Sequence, residues 1–157
     1  MRLGWGCLLL EAHAGALSDL QLRLAGRQIA CRRATVADMS AAGADDPEAV
    51  LVVELDSAAA PPRPLVEAWQ AAGRAVLALC REHDPKAMML AASLAVDDIL
   101  TIPLDERELL RRLDRLADLA ALERERRLRT RLLTAYQTGR YDLHWPHRAP
   151  EAVPTVC

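Results

Sequence analysis

Residues 49–55, AVLVVEL, are apolar up to an acidic end. A run this short and without alternation is covered on both faces, which is the condition of a strand inside a parallel sheet sandwiched by helices. The form recurs at residues 6–10, GCLLL, which end at Glu11, and at residues 75–79, AVLAL. Three such runs separated by helical patterns predict an α/β chain with helices on both faces of a parallel sheet.

The segments between the runs support this reading. After Glu11, Leu17, Leu20 and Leu24 fall at helical spacing, and Gly26 is placed to end the helix. Residues 29–32 are expected as a short strand and residues 35–42 as a short helix capped by Thr35. GADDPE is a loop into the AVLVVEL strand. Pro61, Pro62 and Pro64 keep the next segment out of helix until Leu65, and Gly73 ends the helix LVEAWQAAG. Asp84 or Pro85 opens the helix PKAMMLAASLA. DDILTIP supplies a last strand, and Asp105 caps a long helix over residues 106–137, with Glu106 and Glu108 at its positive end. Five βα units fit residues 6–120.

The last helix is too long for the domain it closes, since some 30 residues at ~1.5 Å each reach about 45 Å. Leu109, Leu113, Leu116 and Ala120 form a stripe suited to a packed helix or a short coiled coil. From Glu123 to Arg131 the sequence ERERRLRTR reads as a solvated face with Leu128 alone apolar. We therefore divide the chain into a domain over residues 1–122, a helical extension over 123–137 and a linker over 138–157. The closing VPTVC resembles the start of another strand, as expected of the front piece of a longer protein.

Composition narrows the function. The chain has 157 residues, 52% of them hydrophobic and 27% charged, enough for one core with an appendage. Its net charge of -2 gives no concentrated positive field, so neither nucleic acid nor a membrane surface is an expected partner. The first apolar stretch is too short for a signal-peptide core or a membrane span, and a cytoplasmic location is the expectation. Cys7, Cys31, Cys80 and Cys157 form no CxxC pair and are expected as reduced thiols, three of them buried in strands. His144 and His147, in HWPH, are expected as exposed side chains of the linker, and no metal site is expected there.

The segment AVDDILTIPLDERELLRRL resembles the end of a response-regulator receiver domain, where a pattern like GADDYLTKPF precedes a leucine-rich helix. With AVLVVEL and AVLAL at matching separations, the resemblance covers residues 6–122. It implies a flavodoxin-like (βα)5 doubly wound sheet with the last helix extended. It also implies a phosphorylation site: an acceptor Asp ending the third strand, an acidic pair after the first strand that helps hold magnesium, a hydroxyl residue ending the fourth strand and a Lys ending the fifth.

This sequence departs from that pattern at each position. Glu54 stands where the acceptor would be, with Asp56 two residues later. Glu11 is followed by Ala12, so one member of the acidic pair is missing. Cys80 replaces the hydroxyl residue with a weak donor. Ile102 replaces the Lys, leaving nothing to offset a phosphoryl charge of about -1.5 to -2. The family's switching aromatic corresponds to Ile99. Asp97 and Asp98 match a turn before the last strand and are expected to be structural, and His13 lies near the crevice by topology.

Two functions follow from different classes. One is a non-catalytic pseudo-receiver that acts through protein–protein contact or homodimerisation on the face of its fourth helix, fifth strand and fifth helix, using Met88, Met89, Leu109, Arg112, Leu113 and Leu116. The fifth helix would then pass geometry to an output domain, for which the resemblance implies diguanylate cyclase (cyclic-di-GMP signalling), DNA-binding or kinase-associated domains. The other is an atypical receiver phosphorylated at Asp56 with Glu11 and Mg2+. A small-molecule sensor using the strand-end crevice is a third class, although no Gly-rich phosphate loop accompanies it.

Overall fold

A computed structural model describes residues 5–13, 15–39, 48–56 and 61–139. Within them the chain alternates β1 (Gly6–Glu11), α1 (Ser18–Gly26), β2 (Ala30–Thr35), α2 (Val36–Met39), β3 (Val50–Leu55), α3 (Arg63–Ala71), β4 (Ala75–Arg81), α4 (Pro85–Ser93), β5 (Asp98–Ile102) and α5 (Glu106–Gln137). The five strands pair in parallel in the order β2-β1-β3-β4-β5, the doubly wound arrangement expected from the sequence.

The central strands β1 and β3 are buried at every position, because both of their faces are covered. One face carries α1 and α5: Cys7, Leu9, Val50, Val52, Leu77 and Leu79 meet Leu20 and Leu24 of α1 and Leu109, Leu113 and Leu116 of α5. The other carries α3 and α4: Leu8, Leu10, Leu51, Val53, Val76 and Ala78 meet Val66, Trp69, Ala87 and Ala91. Alternate residues of each strand therefore serve opposite layers.

Local chemistry sets the helix ends. Asp84 caps α4 by accepting from the Ala87 N–H at 3.0 Å, with Pro85 in the first turn, and Asp105 caps α5 by accepting from the Glu108 N–H at 2.8 Å. Thr35 and Asp38 cap the short α2 reciprocally, with Asp38 Oδ2 accepting from the Thr35 N–H and Thr35 Oγ1 accepting from the Asp38 N–H. Gly73 takes the left-handed conformation after α3, at φ 76°.

Several boundaries differ from the sequence reading. Strand β2 runs on to Thr35, so the helix after it begins only at Val36. Helix α3 begins at Arg63, two residues before Leu65, because Pro64 occupies a first-turn position where its missing N–H costs nothing. Gly26 is the last residue of α1, and the left-handed residue beyond it is Gln28, at φ 62°.

The extension of α5 is less solvated than ERERRLRTR suggests. Arg124 donates to the Glu48 carbonyl at 2.9 Å, and Arg127 donates to the carbonyls of Gln70 and Ala71 at the end of α3. The helix therefore stays attached to the domain through Arg127.

Candidate functional site

The crevice at the carboxyl ends of β1 and β3 brings together two of the positions that the sequence singles out, Glu11 and Glu54, while Asp56, Cys80 and Ile102 are not among its lining residues. It is a small pocket of about 40 Å3 lined by Leu10, Glu11, Ala12, Val36, Val53, Glu54 and Pro61. This is room for about one water-sized occupant.

Glu11, at the end of β1, is 7% exposed and fully engaged. Its Oε2 accepts from the Gly15 N–H at 3.1 Å, and its Oε1 accepts from the Leu17 N–H at 3.0 Å and from Arg33 Nη1 at 3.3 Å. Burial alone would raise its pKa, but these three donors hold the carboxyl below its ordinary value. Both oxygens thus brace the turn from β1 into α1.

Glu54 lies one strand over on β3, at 6% exposure, and among the described residues its Oε2 has no hydrogen-bond partner. Asp56 lies beyond the strand end, where His13 Nε2 meets its Oδ2 at 3.3 Å. The histidine expected near the crevice is thus in contact with the candidate acceptor.

The other two positions are apolar in character. Cys80, near the end of β4, is fully buried, and burial first, then the charge of Asp84, pushes its thiol up. Ile102 ends β5 half-buried against the α1/α5 layer. Its register partner on β4 is Arg81, whose side chain is exposed. Ile99 packs half-buried against the opposite layer.

The side chains lining the pocket make a sparse donor set for a magnesium ion. Mg2+ requires about six oxygens in near-octahedral array, several of them waters, held by one or two carboxylates. Here both Glu11 oxygens accept protein N–H groups, and Ala12 supplies no carboxylate. Among the described residues, Glu54 Oε2 is the pocket's buried side-chain oxygen without a hydrogen-bond partner.

The predicted interaction face divides in two. Leu109, Leu113 and Leu116 lie in the core under the sheet, between 0% and 2% exposed, which corrects their assignment to a partner surface: the stripe faces the chain's own strands. Met88 and Met89 are exposed on α4, Met89 at 73%. Arg112 is half-exposed and bonded to Asp98 at 2.5 Å and to Glu108 at 2.7 Å, so it ties α5 to β5. Asp97 accepts from the Val76 N–H at 2.7 Å, and Asp98 accepts from Arg112 at 2.5 Å.

Sequence reasoning missed Arg33 and the apolar outer side of α5. Arg33 gives no pattern signal, because its partners Glu11 and Ser18 belong to other elements. The outer side consists of Leu119, Leu122, Leu128, Leu132, Leu133 and Tyr136, all exposed. His144, His147 and Cys157 lie outside the described residues. Among those described, no group of three or more His, Cys, Asp or Glu side chains is placed to hold a metal ion, and no helix is long and apolar enough to cross a membrane.

No protein-family model matches the sequence, and no curated protein matches it. Solved structures do. The signal receiver domain of an HD domain-containing protein from Pseudomonas fluorescens Pf-5 is 19% identical with a TM-score of 0.67, covering 80% of this chain and 96% of that one. An adenylate cyclase structure from Rhodopirellula baltica is 15% identical with a TM-score of 0.66, covering 82% of this chain and 98% of that one. A CheY-like receiver domain from Methanospirillum hungatei JF-1 is 13% identical with a TM-score of 0.59, covering 76% of this chain and 98% of that one. At such identities the likeness is one of architecture, and the architecture is that of response-regulator receiver domains.

Proposed function

We propose that this chain is a non-catalytic signalling module on the receiver fold, one that takes no phosphoryl group and acts by pairing with a second copy or docking a partner. The observation that carries the reading is the state of the crevice. Glu11 is committed to the β1–α1 turn and Glu54 is a buried carboxylate, and the receiver resemblance aligns Cys80 and Ile102 with the family's hydroxyl and lysine positions.

Electrostatics supports it. A unit charge about 5 Å from a carboxylate is repelled by about 3 kcal/mol at an effective dielectric of 20. A phosphoryl group carries nearly two such charges, and Arg33, the cation bonded in the crevice, already serves Glu11. Asp56 is held by His13 at the crevice mouth.

The contact surface is better sought on the outer side of α5 and on α4 than on the buried leucines. At about 100° per residue, Leu119, Leu122, Leu133 and Tyr136 fall within an arc of about 100°. Arg126 and Arg129 fall in the same arc, so the apolar positions form two patches along the helix, and the exposed Met88 and Met89 provide an adaptable flank.

Incubation with acetyl phosphate and Mg2+, followed by intact-mass measurement, tests the chemistry. The expected result is an unmodified chain. An adduct that disappears in an Asp56→Ala variant would establish the phosphorylatable alternative. Light scattering on the same sample tests the pairing: a concentration-dependent dimer is expected, abolished by Leu122→Glu with Leu133→Glu, and a wild-type monomer at all concentrations would remove it.

A further inference from the structure

A second chemistry lies at the other end of the sheet. Cys7 on β1 and Cys31 on the edge strand β2 are partners in the parallel register, and their Sγ atoms are 2.9 Å apart. Adjacent strands run about 4.8 Å apart, inside the span of about 4.4–6.8 Å between Cα atoms that a disulfide bridges. A bond can therefore form with both strands still in their ladder.

The two sulfurs differ in access. Cys7 is fully buried, whereas Cys31 is half-exposed and lines an open pocket of about 420 Å3 with Trp5, Gln28, Arg32 and Glu48. The hydrogen bond shared with Cys7 holds Cys31 below the ordinary thiol range. That bond, burial and the charges of Cys31 and Glu48 hold Cys7 far above it. The partly exposed cysteine, which lines the open pocket, is thus also the one held below the ordinary thiol range, and it has a second thiol in contact. Attack by an accessible thiolate with a neighbour able to resolve the product is the arrangement that thiol oxidation requires.

We propose that Cys7 and Cys31 form a hydroperoxide-oxidisable dithiol site, with Cys31 the attacking thiolate and Cys7 the resolving thiol. Cys31 attacks one oxygen of hydrogen peroxide: an S–O bond forms, the O–O bond breaks, and hydroxide leaves. Cys7 then attacks the Cys31 sulfenic sulfur: the S–S bond forms, the S–O bond breaks, and the departing hydroxide takes up the thiol proton as water. Overall two thiols and one peroxide give one disulfide and two waters. The product ties the edge strand covalently to the middle of the sheet, and a dithiol reductant reverses it.

The full chain carrying Cys157→Ser is exposed to hydrogen peroxide under native conditions, quenched with acid, alkylated in denaturant and digested with trypsin. The expected product is residues 3–23 joined to residues 28–32, with the intact mass lowered by two hydrogens and restored by dithiothreitol, while Cys80 is recovered alkylated. In Cys7→Ser, Cys31 is expected to accumulate as a sulfenic acid that dimedone traps. Full alkylation of both Cys7 and Cys31 after a dose that oxidises free cysteine would overturn the proposal. So would oxidation of Cys80 ahead of the pair. The wild-type peptide map decides the matter even where a serine variant folds poorly.

Discussion

Replacing Glu11 by alanine removes one acceptor from three donors, and the structure sets how much each loss costs. The Leu17 N–H is buried, so deleting its partner leaves it unsatisfied at the desolvation cost of about 1–3 kcal/mol. The Gly15 N–H lies at an exposed residue and is rescued largely by water. Arg33 is more than one-third exposed and keeps Ser18, so its share is at most about 1 kcal/mol. The sum is about 1–4 kcal/mol, which for a domain of this size lowers Tm by on the order of 5–10 °C. Glu11→Gln keeps one acceptor oxygen for the buried Leu17 N–H but loses the charge and turns an amide NH2 toward the exposed Gly15 N–H, so it should cost less than the alanine change. The pH dependence has a definite sign. The folded-state pKa lies below the ordinary value, so the charge of Glu11 stabilises the fold above about pH 4.5 and ceases to do so as pH falls through the folded value. In urea titrations the gap between wild type and Glu11→Gln should hold from neutral pH to about pH 4.5 and close below it. A Glu11→Ala variant within about 0.5 kcal/mol of wild type would refute the bracing role, as would a gap that does not close in acid.

Three further outcomes are expected. Leu113→Ala, at a fully buried position facing the sheet, should lower unfolding free energy by about 2–5 kcal/mol in chemical denaturation, whereas a partner-facing leucine would cost well under 1. Asp105→Ala should cost about 1 kcal/mol in the same assay through loss of the α5 cap. Arg127→Ala should speed amide exchange in residues 124–137 with little change at residues 106–116, because the tether to the carbonyls of α3 is lost while the core leucines stay packed.

What could be read beforehand followed from burial. Strands β1, β3 and β4 are covered on both faces, and that leaves unbroken apolar runs such as GCLLL and AVLVV. Strand β2, ACRRAT, is an edge with several exposed positions, and Arg32, Arg33 and Thr35 give no periodic sign of it, so its last residue reads as a helix cap. The leucine stripe of α5 was visible at 109, 113 and 116, but spacing alone does not tell a stripe that faces a sheet from one that faces a partner. In the crevice the four departures from the receiver pattern were legible as residue types. The role of Glu11 was not, since its main donors are backbone N–H groups of a turn and Arg33 comes from another strand. The His13–Asp56 contact joins residues 43 positions apart and has no local signature.

The footing of α5 gives the molecule a polarity. The helix starts four residues after Ile102 ends β5 and extends to the starts of β3 and β4, where the Glu48, Gln70 and Ala71 carbonyls clasp it. At ~1.5 Å per residue, the ten residues after Arg127 reach about 15 Å past that clasp. Motion at the rim of the crevice must cross the whole depth of the sheet to reach this mast. A shift of the edge strand near Arg32 and Glu48 acts almost directly on its foot.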